Sequence, residues 1–245
     1  MTVKDLFKPL FRRIFRFLLW GLITSTFYLV LCKWMMPPVT LTQLMSLVEG
    51  NGLKRDYVSM DEIAPAPKLA AMASEDQLFP DHHGFDWKSL EKSMQKNARK
   101  RKKVRGAGAS TISQQVAKNV FLWQGSGIMR YVRKVPEIYF TMMIELIWGK
   151  ERILEVYLNV AEMGTGIFGI EAASQAYFGK TAIALSSTQA AMIISSLPSP
   201  KRYTVKPVSR WVAWRYPRVL QQMNNIQDDP DVQKLVYTTS GVRKK

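Results

Sequence analysis

The sequence predicts a mainly α-helical protein: one apolar anchor helix, then a helical globular domain. Three observations carry that expectation. Phe17 to Cys32, "FLLWGLITSTFYLVLC", is sixteen residues without a charge. Further along, apolar residues recur at helical spacing, as at Ile153, Leu154, Tyr157, Leu158 and Ala161. Strand-like alternation is weak and scattered, and no internal repeat is visible. A chain of 245 residues suffices for one domain of roughly 200 residues with its own core, plus an extension.

The anchor comes first. Extended past Lys33 to Met36, the apolar run reaches twenty residues. At about 1.5 Å per residue it spans about 30 Å, the hydrocarbon thickness of a bilayer. Lys4, Lys8, Arg12, Arg13 and Arg16 precede it, opposed by Asp5 alone. That asymmetry predicts a cytoplasmic N-terminus (residues 1–16), a span over 17–36 and a body outside. A cleaved signal peptide needs a shorter apolar core and a small-x-small site, which "CKWMMPP" lacks. The prolines of "MMPPVT" are expected to break the helix.

A short helix over Thr40–Val48, ended by "EGNG", and a Pro-punctuated stretch over Val58–Pro67 make 37–66 a membrane-proximal linker. Helices are predicted over Pro67–Ser74, from Asp86 as N-cap, and over Ser113–Leu122, Ile138–Trp148, Lys150–Met163, Phe168–Phe178 and Ser187–Leu197. Trp87, Leu90 and Met94 share one stripe of the Asp86 helix, with Lys88, Lys92 and Lys96 opposite. Gly179 and Pro198 stop the last two helices. The main helical domain is expected over 67–227 and a polar tail over 228–245.

Charge narrows the partners. Thirty-five Lys and Arg face nineteen Asp and Glu, a net +16. Such a field suits polyanions or anionic lipid surfaces. The basic run Arg99–Gly106, "RKRKKVRG", fits nucleic acid in the abstract. Beside a bilayer it fits anionic head groups or a pyrophosphate-bearing lipid. The single cysteine, Cys32, excludes an intrachain disulfide framework and a cysteine-rich zinc site.

Several short motifs are decoys. "GTGIFG", Gly164–Gly169, follows a predicted helix and lacks the later acidic residue of a dinucleotide site, so it reads as a turn between helices. "FGKT" ends like a phosphate loop, but Ser174 stands where the first glycine is needed. "SMQK", Ser93–Lys96, fits SxxK with no SxN after it. His82 and His83 are adjacent and have no HExxH neighbours.

Four further blocks lie in order between residues 75 and 159. "EDQLFPDHHG" sets Glu75 and Asp76 ahead of Phe79, His82 and Gly84. "GASTISQQVAKN", Gly108–Asn119, fits GxSTxxQQ. "RKVPE", Arg133–Glu137, fits RKxxE, and "KERILEVYLN", Lys150–Asn159, follows. Together they closely resemble the peptidoglycan glycosyltransferases, whose domain is lysozyme-like. The resemblance covers roughly Leu69–Met223, including "AAMIISSLPSPKRY" and "WRYPRVLQQM". With one anchor and no room for a transpeptidase domain, the chain is similar to the monofunctional members of Gram-negative bacteria. Departures are Gln189 where the family has Glu, Pro136 inside RKxxE, and "WQGSG" before the second phosphate-binding Arg, which falls on Arg130.

The resemblance implies an inner-membrane enzyme with a periplasmic body, polymerising lipid II onto a growing lipid-linked glycan. Glu75 is implied as general base. Arg133, Lys134 and Lys118, with Arg130, would stabilise the leaving pyrophosphate. Glu137 is the second family glutamate, implied to position cations or a divalent ion. Ser110, Thr111, Gln114 and Gln115 suit hydrogen bonds to sugar or phosphate. Asp76, Phe79 and His82 would shape and aim the site, with Asp81 and His83 facing solvent. The resemblance fixes no cofactor, and a divalent cation bridging the pyrophosphate is the one candidate. Other cell-wall synthesis proteins are candidate partners and nucleic acid is not. A lysozyme-like hydrolase and a membrane-tethered anion-binding module are the alternatives.

Overall fold

The computed structural model describes residues 3–91, 95, 110–124 and 127–237, with side chains from residue 11 onward. The basic run Arg99–Gly106, Gly108, Gly125, Ser126 and the end of the tail lie outside the described residues. So do Lys92, Ser93, Met94 and Lys96 of the Asp86 helix and its decoy motif.

Helix α1 runs Val3–Leu31, and within it Phe11–Leu31 is long and apolar enough to cross a membrane, at a mean hydropathy of 1.7. Its few hydroxyls bond back to the helix: Thr24 donates to the Trp20 carbonyl and Thr26 to that of Leu22, each at 2.8 Å. Polar groups satisfied this way suit an apolar solvent. The helix ends at Leu31, ahead of the expected Met36. The N–H groups of Lys33 and Trp34 reach back only three residues, to Val30 and Leu31 at 3.1 Å, so the last turn tightens and stops before the prolines.

Residues from Pro38 onward form a separate compact body. Its helices are α2 (Leu41–Val48), α3 (Pro65–Glu75), α4 (Ile112–Phe121), α5 (Gly127–Val132), α6 (Lys134–Ile147), α7 (Lys150–Val160), α8 (Ile170–Phe178), α9 (Ser187–Ser196), α10 (Arg210–Ile226) and α11 (Pro230–Tyr237). A further helical turn covers residues 87–91, capped by Asp86, whose carboxylate accepts the Ser89 N–H at 2.9 Å. Trp87 and Leu90 on that turn are exposed.

α3 is the central rod. Pro65 opens it, where a missing N–H costs nothing. Leu69, Ala70, Ala71, Met72 and Ala73 are all buried, so the helix meets neighbours on every side: α9, α10, α11 and α7. Small residues allow that close approach. α4 packs on α6, α7 and α2. α7 therefore touches both groups, and Ile153, Leu154, Val156, Tyr157, Leu158 and Val160 are buried around it.

Three expectations change here. α7 stops at Val160, and Met163 and Phe168 lie in strands β2 (Glu162–Gly164) and β3 (Ile167–Phe168). The "GTGIFG" segment is thus a hairpin rather than a turn between helices. β3 also pairs in parallel with β1 (Lys54–Arg55), giving the order β1-β3-β2. Consequently 37–66 is no linker. β1 is a sheet strand, α2 lies on α4, and Asn159 holds the Val58 backbone through two bonds of 2.9 Å. The tail from Asp228 contains α11, whose Val232 and Val236 are buried. Lys68 donates to the Val236 carbonyl at 3.2 Å.

Gln189 keeps its local contact. Its side-chain oxygen accepts the Ser186 N–H at 3.1 Å while Ser186 Oγ accepts the Gln189 N–H at 3.3 Å, a capping box in which Gln does the work of Glu. Gly179 ends α8 in the left-handed region at φ 64°.

Candidate active site

Glu75 is the last residue of α3, and Asp76 leaves the helix at φ −163°, ψ 80°. The Glu75 side chain is 14% exposed. It borders a cleft of about 380 Å³ that Asp86, Ser89, Ser110, Thr111 and Gln222 also line. Its two oxygens have different neighbours. Oε2 accepts from Gln115 Nε2 at 3.0 Å. Oε1 accepts from Ser74 Oγ at 3.2 Å, with Arg215 Nη2 at 3.8 Å.

The residues after Glu75 build its support. Asp76 is buried, and its Oδ2 accepts the N–H of Ile112, the first residue of α4, at 2.9 Å. His82 Nε2 lies 2.9 Å from Asp76 Oδ1, and the Gly84 N–H donates to His82 Nδ1 at 3.1 Å. That assigns the tautomer: Nδ1 accepts, so Nε2 carries the proton given to Asp76. Gly84 sits at φ +86°, and a Cβ there would meet Thr141 Cγ2 at 2.7 Å, so only glycine fits. Phe79 is buried edge-on to His82, with Lys150 Nζ 4.5 Å from its ring centre. Asp81 and His83 are exposed.

Two expected ligands are committed elsewhere. Thr111 Oγ1 donates to the Gly84 carbonyl at 2.7 Å and accepts from the Gln114 N–H. Gln114 Oε1 accepts the Thr111 N–H at 3.0 Å. Thr111 and Gln114 are the capping box of α4, which fixes the helix bearing Gln115 and Lys118. Ser110 and Gln115 remain at the cleft.

Lys118 enters a second polar cleft of about 200 Å³ with Gln115, Asn119, Gln124 and Glu162 on its walls. Burial pushes the Lys118 ammonium down to about 8; Arg133 and Lys134 push the same way, while Glu137 and Glu75 oppose. Glu137 is buried in the first turn of α6, where the N–H of Pro136 is not missed. Its Oε1 accepts from Lys134 Nζ at 2.5 Å and its Oε2 lies 3.3 Å from Arg133 Nε. Arg133 is itself buried and donates from Nη1 to the Trp123 carbonyl at 2.9 Å. Arg133 is thus held against Glu137, and Lys134, 40% exposed, is the more accessible cation of the pair. Arg130 is exposed on α5.

Among the described residues no three His, Cys, Asp or Glu side chains gather to hold a metal. Both Glu137 oxygens already face cations, which disfavours a divalent ion there.

The fold is that of a lysozyme-like transglycosylase domain. The Transglycosylase family model matches residues 42–224, and the chain belongs to that family as a peptidoglycan glycosyltransferase. It is 51% identical over 171 residues to the biosynthetic peptidoglycan transglycosylase of Yersinia pestis (strain Pestoides F), covering 70% of this chain and 69% of the relative. It is 41% identical over 228 residues to the protein of the same name from Pseudomonas aeruginosa PAO1, covering 91% and 96%.

Sequence reasoning missed two neighbours of Glu75. Arg215 comes from α10, and Tyr157 comes from beneath. The Tyr157 hydroxyl is fully buried without a hydrogen-bond partner, and burial, then Glu75 and Asp76, push its pKa well above the usual value. Helical spacing marked Tyr157 as core but not what its hydroxyl would face.

Proposed function

We propose that this chain polymerises lipid II into β-1,4-linked glycan strands and releases undecaprenyl pyrophosphate, with Glu75 as general base. The acceptor's 4-hydroxyl attacks the anomeric carbon of the donor. Its proton passes to Glu75, the new C–O bond forms, and the old one breaks with its electron pair on the pyrophosphate. An α-linked donor giving a β-linked product calls for one inverting displacement. The transition state has oxocarbenium character. Positive charge stabilises the departing pyrophosphate better than a proton donor would. Lys118 and Lys134 supply it directly, and Arg133 contributes by holding Glu137.

The observation that carries this reading is Glu75, half-buried at a cleft and held by a neutral amide and a hydroxyl. Lys118 lies within its electrostatic reach. On the same reading residues 17–36 anchor the chain once in the bacterial inner membrane, N-terminus cytoplasmic and body periplasmic.

The test is polymer formed per minute from labelled lipid II. Glu75→Gln keeps size and hydrogen-bonding reach but cannot take the proton, and the rate should fall about 10²-fold or more. A rate within about threefold of wild type would move the base elsewhere, since a positioned base contributes far more than that. Short fragments cut from finished glycan, in place of long polymer, would make the enzyme a hydrolase.

A further inference from the structure

We propose that Arg215 is a positioning residue for the reaction: it fixes the aim of Glu75 while leaving free the lone pair that receives the substrate proton. The proposal rests on Glu75 being the base.

Arg215 crosses from α10 to the end of α3, 141 residues away in sequence from Ser74. Its Nη2 donates to Ser74 Oγ at 2.9 Å and approaches the Ser74 carbonyl at 3.4 Å. Ser74 Oγ in turn donates to Glu75 Oε1 at 3.2 Å. The guanidinium thus reaches the carboxylate twice, through the serine and across 3.8 Å directly. Its own place is fixed. It lies 5.9 Å from the Trp211 ring centre, and Trp211 stacks on Tyr203 at 4.7 Å and donates to the Ser195 carbonyl at 3.0 Å.

Two features separate this contact from an ordinary tether. Arg215 Nε is buried with no hydrogen-bond partner, an expense that stability alone does not select. And 3.8 Å is too long for a hydrogen bond, so the cation acts on Glu75 without occupying the lone pair that must receive the substrate proton.

The other charged or titratable groups around Glu75 are Lys118 from α4, Tyr157 from α7, and Asp76 with its partner His82. Asp86 lines the same cleft. α9 carries no titratable side chain, and α11 meets α3 through Lys68 at its other end.

The experiment measures kcat and KM separately on lipid II with the full-length enzyme. In Arg215→Met kcat should fall about tenfold or more while KM stays within about twofold of wild type, because a misaimed base costs the chemical step and not substrate binding. Arg215→Lys, which keeps a cationic donor, should recover most of that loss. An equal loss in Met and Lys, or a rise in KM with kcat unchanged, would reduce Arg215 to packing and overturn the proposal. If Arg215→Met does not fold, Arg215→Gln, which keeps a donor toward Ser74, carries the same reading. Glu75→Gln is run alongside. If it retains activity, the assignment of the base fails; if it is inactive and kcat is unmoved in the Arg215 variants, only the present proposal fails.

Discussion

Two glutamates of the body, Glu75 and Glu137, are held in opposite ways. Glu137 is 3% exposed, clamped between Lys134 at 2.5 Å and Arg133 at 3.3 Å. Glu75 is 14% exposed and touched by an amide and a hydroxyl, with its one guanidinium kept at 3.8 Å. On the proposed mechanism, identical side chains divide by their surroundings: the glutamate bound by two cations serves as a brace, and the one steadied by neutral donors is left to take the substrate proton.

The largest break in that comparison should come in stability. Glu137→Gln leaves buried Arg133 without its charge partner and should destabilise by about 3 kcal/mol, the low end for a broken buried pair since Lys134 stays partly in solvent. Urea titration of Glu137→Gln and Glu75→Gln side by side reads this, and Glu75→Gln should shift by no more than about 1 kcal/mol. Equal losses would erase the distinction between brace and base.

A second effect sharpens the cation side. Lys118 titrates at about 8 against an ordinary 10.5, so its charged form is disfavoured in the folded protein. Below pH about 8 the folded state carries that penalty in full. Stability should therefore rise with pH from about 8 to 10.5, where the unfolded chain binds more protons. On the proposed mechanism activity runs the other way, because there the pyrophosphate is stabilised by the ammonium. kcat/KM should fall above pH about 8, and Lys118→Arg, which stays charged, should lose that alkaline limb. Persistence of the limb in Lys118→Arg would remove Lys118 from the leaving-group site. The smallest effect concerns the anchor. Deleting residues 1–37 should leave the circular dichroism melt of the body nearly unchanged, since the body is compact from Pro38. Activity should drop only on substrate held in a bilayer.

The helices were legible because caps and apolar spacing are local: Thr40, Asp86, Ser186 and Gly179 all act within four residues of themselves. β1 and β3, at two residues each, are too short to show alternation, and their pairing joins segments far apart in sequence. α11 was hidden by the polar residues in and before it, although Val232 and Val236 have helical spacing. At the site, Glu75, Asp76 and His82 were readable because their motif is contiguous. Thr111 and Gln114 were read as ligands when Thr-x-x-Gln is itself a capping signal. Arg133 was read as a pyrophosphate contact, and its burial against Glu137 was not legible because sequence does not report burial. Arg215 was out of reach for the same reason as the sheet: its contact spans 141 residues.

The alanines of α3 have an evolutionary consequence. Ala70, Ala71 and Ala73 are at most 1% exposed and lie two to five positions before Glu75. A larger side chain there would overpack, at about 1–3 kcal/mol, and tilt the rod that carries the base. The only smaller residue, glycine, would loosen the helix by about 1 kcal/mol. Drift therefore has no easy direction at these positions. A stretch with no reactive atom should be as slow to change in descent as the carboxylate it points.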